Sequence, residues 1–514
     1  MFDSPLIETL LKPSIFPDQP STVNLLETHI SWVLLTGAFA YKIKKPVHFE
    51  FLDYSDLSLR RHFCEEEIRL NRRLAPQLYL EVIPITGTAE QPILGAAGVA
   101  IEYAVKMRQF DPNLGFNRLA VNSALEDWQI DRLCDRLADF HSRAPKLAPS
   151  AVAEKVAQIQ RAALQNFEDS KPIAKCNGQG NLLVQLREWT LRKFSECENA
   201  ILERAEKGMV RECHGDLHLG NIVLFDDQPV PFDCIEFNEH MRWIDVIDEI
   251  AFVVMDLQAN RNQQFGYRLL NRYLQITGDY AALAVFDYYR VYRAMVRAKV
   301  AQIGVDSNTG YSARKQVFES RYRNYVSLAR ACSVKRRVML IITHGFSGSG
   351  KSSLASRIAE LLPAIQIRSD VERKRLAANH PNTKSDLYAQ DMTWRTYRYL
   401  ANLAGEILQS GCSVIVDATF LRRHWRDHFR ELADSQGIPY VILDIRTRQA
   451  ILKDRIRQRL ALHADPSDAD LRVLELQQKN CEALTECEIE HAILVDSGEE
   501  IDYQRLADRL NEIK

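Results

Sequence analysis

The run "VMLIITHGFSGSGKSSLASRIAELL" (338–362) constrains this chain more tightly than any other stretch. A short apolar segment of β type enters a glycine-rich turn, and helical sequence begins at once. Gly345, Gly348 and Gly350 lack the Cβ atoms that would stop successive backbone N–H groups from turning inward around an oxyanion. Gly345 and the triplet Gly350-Lys351-Ser352 meet the spacing G-x-x-x-x-G-K-[ST]. In that arrangement Lys351 reaches the β- and γ-phosphates of a nucleotide and Ser352 bonds magnesium. Ser353 follows in the first helical turn, whose positive end favours the same anion. The apolar segments "VMLIITH", "AIQIRS", "SVIVDAT" and "YVILDI" alternate with helical stretches, the pattern of a mainly parallel α/β sheet.

Other residues in this half fall just past strand ends. "IRSDVERKRL" puts Asp370 where a carboxylate can take the proton of an acceptor hydroxyl, and Arg373 where it can hold that acceptor. Asp370 also suits the N-cap of the following helix. "SVIVDATF" ends its strand with Asp417, a carboxylate for a magnesium shell, and Thr419. Arg455 and Arg459 share one helix face at i, i+4, and such arginines can fold over a triphosphate and stabilise transition-state charge.

A second constellation lies upstream, in "ECHGDLHLGNIVLF" (212–225). Asp216 precedes Asn221 by five positions, and Asp233 follows Asn221 by twelve, beyond a turn at "DDQP". This is the grammar of kinase catalytic loops: an Asp as base, then an Asn and a strand-end Asp as hard oxygen ligands for magnesium. A tight hairpin would bring Asn221 and Asp233 to one cation. Further upstream, Lys42 and Lys44 alternate along a strand and face one side. One of them should hold the α- and β-phosphates while a helix glutamate orients it. Lys42 with Glu67 is the favoured pair, with Lys44, Glu65 and Glu66 left open.

"HGDLHLGNI" followed by "PFDCIEFN" resembles the aminoglycoside phosphotransferase family, a branch of the protein-kinase-like fold, over roughly residues 25–330. The resemblance implies Asp216 as base, Asn221 and Asp233 as magnesium ligands, and "IEYAVKM" (101–107) as an interlobe hinge that reads adenine through its backbone. The chain departs from the wider kinase pattern in having no G-x-G-x-x-G loop, only "LLTGAFAY". The half from 336 to 514 resembles the small P-loop kinases that include polynucleotide kinase and the zeta-toxin-like enzymes. That resemblance implies phosphoryl transfer to a hydroxyl rather than mechanical work.

Fold and domains follow. An α+β protein-kinase-like two-lobed domain (1–332, small lobe about 25–105, large lobe about 106–332) precedes an α/β P-loop domain (336–514). The basic tether "CSVKRRVMLIITHG" marks the boundary at about 332–336. With 514 residues and a formal net charge of −2, the chain has room for such domains and no global pull toward nucleic acid or membrane. Ten scattered cysteines form no C-x-x-C pair, and no apolar run of about 18 residues occurs, so a reducing, cytoplasmic setting without membrane spans is expected.

The function expected is an ATP- (or GTP-) and Mg2+-dependent phosphotransferase with two kinase sites acting on hydroxyls of small molecules. Arg290, Arg293 and Arg297 fall on one helix face, which favours a sugar-like or anionic acceptor at the first site over a polycationic aminoglycoside. Their alternative role is interhelix pairing with Asp245, Asp248 and Asp256. Two other functional readings stand beside this one. In one, the P-loop half is a nucleotide switch for a single kinase. In the other, it is a polynucleotide 5′-hydroxyl kinase, for which "WRTYRYLANL" supplies aromatic and basic residues but the near-neutral chain gives little support.

Overall fold

The structure is a computed structural model and describes residues 4–49, 52–176, 180–306, 313–378, 390–462, 467 and 469–513. They gather into two compact units: residues 1–169 with 194–260, and residues 170–193 with 261–514.

The first unit opens with an antiparallel sheet. Its strands are β1 (Asn24–Glu27), β2 (Ser31–Leu35), β3 (Phe39–Lys44), β4 (Tyr79–Gly87), β5 (Pro92–Leu94) and β6 (Ala100–Arg108), in the order β1-β2-β3-β6-β4-β5. Gly37, at φ +93°, turns the chain between β2 and β3 as the hairpin signal requires. Side chains alternate across β3: Tyr41 and Ile43 join one apolar cluster, while Ala40 joins the other with Cys64, Ile68, Val105 and Met107. Lys42 and Lys44 share the Ala40 side.

Against that side lies α1 (Leu57–Asn71), started by the Asp56 carboxylate accepting the Ser58 N–H. Sequence periodicity points to Leu59, Phe63, Ile68 and Leu70 as its inner face. The buried residues are Arg60, Cys64, Glu67, Ile68, Leu70 and Asn71. The difference arises because Arg60, Glu67 and Asn71 each find a buried polar partner, which offsets their loss of water.

Further along come β7 (Val210–Glu212), β8 (Ile222–Phe225), β9 (Gln228–Pro231), β10 (Trp243–Asp245) and the buried helix α2 (Val246–Ala259). β8 and β9 form the expected hairpin, closed at Asp226 and Asp227, both with positive φ (48° and 55°). Two such residues make the turn that matches the twist of the strands it joins.

The second unit contains a five-stranded parallel sheet: β11 (Leu340–His344), β12 (Ala364–Arg368), β13 (Ser413–Asp417), β14 (Tyr440–Arg446) and β15 (Ala492–Asp496), in the order β12-β13-β11-β14-β15. Its inner strands β11 and β13 are buried at every residue, as strands covered on both faces must be, whereas the edge strand β15 leaves Leu494 and Asp496 exposed. The helices used below are α3 (Gln263–Thr277), α4 (Lys351–Leu361), α5 (Ser369–Ala378), α6 (Gln390–Gln409), α7 (Arg423–Gln436), α8 (Gln449–Leu462) and α9 (Leu471–Asn480). α3 packs on α4 and on β12, the edge strand, so this compact unit reaches back past the basic tether to Arg261.

Candidate active sites

In the first unit the catalytic loop is held by buried side chains. Glu249, in α2, accepts the His214 and Gly215 N–H groups at 2.7 and 2.9 Å through one oxygen, and its other oxygen lies 2.9 Å from His141 Nε2. Gly215 has φ +89°, and a Cβ there would stand 2.8 Å from the Met241 carbonyl, so only glycine fits. Asp216 follows with a partly exposed side chain. Asn221 Nδ2 donates to the Asp216 carbonyl at 3.0 Å and to Asp216 Oδ2 at 3.2 Å, which leaves the Asn221 amide oxygen for a hard cation. The Phe232 N–H donates to the Asn221 carbonyl at 2.9 Å, so the hairpin returns the chain beside Asn221 one residue before Asp233.

Asp233 has φ +65°, a left-handed conformation uncommon for a residue with a Cβ. It is held there by its neighbours: its N–H donates to Tyr79 Oη at 3.0 Å, and the Cys234 N–H donates to Asn71 Oδ1 at 2.9 Å. Lys42 Nζ lies 2.6 Å from Asp233 Oδ1 and 2.9 Å from Glu67 Oε1. Of the three glutamates, Glu67 is the partner; Glu65 pairs with Arg61 and Glu66 with Arg69. Lys44 bonds the other Glu67 oxygen at 2.7 Å and also pairs with Glu236, which the sequence did not single out.

Burial by itself would raise Glu67 and lower Lys42. The close opposite charges outweigh it, holding the Glu67 carboxyl down at about 2 and Lys42 well above its ordinary value.

In the second unit a cavity of about 650 Å³ opens over the glycine loop. A Cβ on Gly345 would stand 2.5 Å from the Ile445 carbonyl, so the loop can pass only as glycine. Gly348 and Gly350 have φ +83° and +87°. Lys351 Nζ donates to the Phe346 carbonyl across the loop at 2.6 Å. Burial pushes Lys351 down to about 8, against the pull of Asp417 and Asp370. Burial likewise raises Asp417, although Arg368 and the Ser352 hydroxyl pull the other way.

Ser352, Ser353, Asp370, Arg373, Asp417, Arg455 and Arg459 all line this one cavity. Asp370 lies inside the first turn of α5 and pairs with Arg373 at 3.1 Å, so its N-cap role is not what the helix uses. Arg455, on α8, donates to the Ser497 carbonyl at 2.8 Å and to Ser497 Oγ at 3.1 Å. Ser497 Oγ in turn donates to the Ser349 carbonyl at 2.6 Å, tying the arginine to the loop. Arg459 donates to the Ala469 carbonyl.

The wall has further members: Gln477 and Trp425 were not legible in the sequence, whereas Trp394 and Tyr397 belong to the aromatic stretch "WRTYRYLANL". Gln477, on α9, bonds both the N–H and the hydroxyl of Ser347 at 2.9 Å. Tyr397, on α6, stacks on Trp425, on α7, at 4.8 Å and 16°, with Trp394 edge-on to Trp425 at 5.9 Å.

Two expectations need correcting. Arg290 and Arg293 are 4% and 5% exposed, and Arg290 pairs with Asp287 at 2.6 Å, which Arg336 also binds. Arg290 serves a buried ion cluster, and the argument for an anionic acceptor loses its basis. The residues named as hinge, 101–107, lie within β6, whose backbone pairs with β3 on one side and β4 on the other. Much of the backbone of this stretch is therefore taken up by the sheet rather than offered to a base.

Residues 59–286 match the phosphotransferase enzyme family, and residues 340–484 match the AAA domain family. The chain is thus a kinase-type phosphotransferase: an aminoglycoside-phosphotransferase-like domain followed by a P-loop kinase-like domain, each of a nucleotide-using class. An uncharacterized protein of Mycobacterium tuberculosis is 28% identical over 469 residues, covering 90% of this chain and 91% of its own. One from Mycobacterium bovis matches to the same extent. A gluconokinase structure from Sinorhizobium meliloti is 25% identical, covering 34% of this chain and 98% of its own, with a TM-score of 0.26. An amicoumacin kinase solved with AMP-PNP is 11% identical, covering 63% of this chain and 94% of its own, with a TM-score of 0.38. Among the described residues no helix is long and apolar enough to cross a membrane.

Proposed function

We propose that the chain carries two phosphoryl-transfer sites, one in each of the domains 1–332 and 336–514, both using ATP and magnesium and both acting on hydroxyls of small molecules. The reading is supported by the way each half gathers a lysine with carboxylate and amide or hydroxyl oxygens of its own. The donor sets fit magnesium: an amide oxygen and a carboxylate at Asn221 and Asp233, a hydroxyl and a carboxylate at Ser352 and Asp417. Magnesium, when bound, supplies charge neutralisation of the phosphates.

At the first site Lys42, oriented by Glu67, holds the α- and β-phosphates. Asp216 accepts the proton of the acceptor hydroxyl as its oxygen bonds the γ-phosphorus and the bond to the β–γ bridging oxygen breaks. At the second site Lys351 and the loop N–H groups hold the phosphates, and Asp370 takes the proton. Arg373 holds the acceptor, and Arg455 and Arg459 stabilise the charge that builds on the transferred group. Trp394 and Trp425 give the acceptor side of this cavity flat apolar faces, which suit a ring-bearing hydroxyl compound.

The test incubates wild type, Asp216→Ala and Lys351→Ala with ATP, magnesium and a bacterial metabolite extract, and follows phosphorylated species by mass spectrometry. Two products lost separately support two kinases and identify the acceptors. One product lost in both variants replaces this reading with a single kinase governed by the P-loop half. No product lost in either folded variant overturns both assignments.

A further inference from the structure

The edge strand β12 ends beside the second site, and its outer side is met by a helix from far upstream. On α3, Asn271 Nδ2 donates to the Ala364 carbonyl at 2.9 Å, and Asn271 Oδ1 accepts the Gln366 N–H at 2.7 Å. One side-chain amide thus makes the two bonds that a neighbouring strand would make. Gln275 lies one turn along the same helix face, and its Nε2 donates to Gln366 Oε1 at 3.4 Å. With backbone and side-chain oxygen both held, Gln366 Nε2 is directed inward. It donates to Asp417 Oδ2 at 3.2 Å and to the Ser352 carbonyl at 3.3 Å.

The same stretch anchors the two other elements that carry the site. Arg268 pairs at 3.0 Å with buried Glu360 of α4, the helix that Lys351 opens. Tyr280 Oη donates at 3.1 Å to buried Glu372 of α5, two residues after Asp370.

We propose that Asn271 and Gln275 are positioning residues of the second site. Acting through Gln366, they fix the rotation of the Asp417 carboxylate beside Ser352 and so set how well these side chains hold magnesium with the nucleotide. The proposal rests on the reading of Ser352 and Asp417 given above. Its physical basis is that a carboxylate already oriented by a hydrogen bond loses less freedom when it engages a cation, and losing such a partner costs about 10–100-fold in metal affinity. Gln366 is 2% exposed, so its amide has no solvent partner to exchange for Asp417. A role in packing alone would weaken nucleotide binding equally with and without the metal.

The experiment uses the full chain. Binding of a fluorescent ADP is titrated in EDTA and across a magnesium series, and the C-terminal component is defined as the part lost in Lys351→Ala. Gln366→Met, which leaves the backbone bonds to Asn271 in place, should raise the magnesium concentration for half-maximal effect by about 10–100-fold. Binding in EDTA should stay within about twofold of wild type. Asn271→Leu and Gln275→Leu should shift the magnesium midpoint the same way and by less. Wild-type midpoints in folded Gln366→Met and Gln275→Leu overturn the relay, as does an equal loss in EDTA and in magnesium. Should Asn271→Leu fail to fold, those two variants decide. If Lys351→Ala removes no binding component, the nucleotide-site reading itself falls, and the relay with it.

Discussion

The two candidate sites treat their lysine in opposite ways. Lys42 lies between Glu67 and Asp233, and these carboxylates keep it charged despite burial. Lys351 is as deeply placed, but its 2.6 Å partner is a neutral loop carbonyl, and burial brings it down to about 8. The first site balances its cations internally, whereas the second leaves the lysine to gain its full charge from a phosphate. The lesson is that the same chemical task can be met by a site neutralised in advance or by one completed by its ligand. The two differ in what breaks them.

The largest difference should appear with Asp216, the carboxylate proposed as base of the first site. Asp216→Asn should cut transfer to the first acceptor by about 10²–10⁴. Nucleotide binding lost in Lys351→Ala should remain, as single-turnover kinetics beside binding titrations on one preparation would show.

Next comes stability. Glu67→Gln removes the shared partner of buried Lys44 and part-buried Lys42, and breaking a buried pair costs about 3–5 kcal/mol. Urea unfolding should show an early transition of the first unit. Loss below about 1 kcal/mol would mean that Asp233 and Glu236 suffice for both lysines.

The pH response then separates the sites. A phosphate favours protonated Lys351, so its affinity should be flat below about pH 8. Above that it should fall by about tenfold per unit as the free site loses the proton that the complex keeps. Lys351→Arg should abolish that fall because arginine stays charged. Binding that depends on Lys42 should stay level across the same window, since Lys42 is held well above it.

The smallest effect on stability concerns Asp417, whose carboxyl burial raises. An acid with a folded pKa above its unfolded one weakens folding once pH exceeds the unfolded value, so Asp417→Asn should leave the melting temperature unchanged or slightly higher at pH 7.5. The same variant should lose the magnesium-dependent part of nucleotide binding. A lower melting temperature would show that the carboxylate is compensated in the folded state.

Much of this was readable from the chain because phosphoryl chemistry constrains local spacing. The glycine loop, the five residues from Asp216 to Asn221 and the short hairpin to Asp233 are close in sequence because they must be close in space. The parallel sheet was equally legible, since strands covered on both faces must be apolar along their whole length.

Tertiary structure alone decided the partners. Helical spacing put Arg290, Arg293 and Arg297 on one face and offered Asp245, Asp248 and Asp256 as partners, whereas Arg290 meets Asp287 in a buried cluster that Arg336 shares. Glu249, Gln366 and Asn271 belong to no motif, and Glu236 sits in "PFDCIEFN" without a role that its spacing assigns. Each matters through a bond to a residue at least 34 positions away. The sequence alone determined which chemical groups the chain carries and the local turns that present them. Which charges are neutralised, which strand edge is closed and which carboxylate is oriented depended on distant segments packing together, because burial and hydrogen-bond pairing are properties of the assembled neighbourhood rather than of any one stretch.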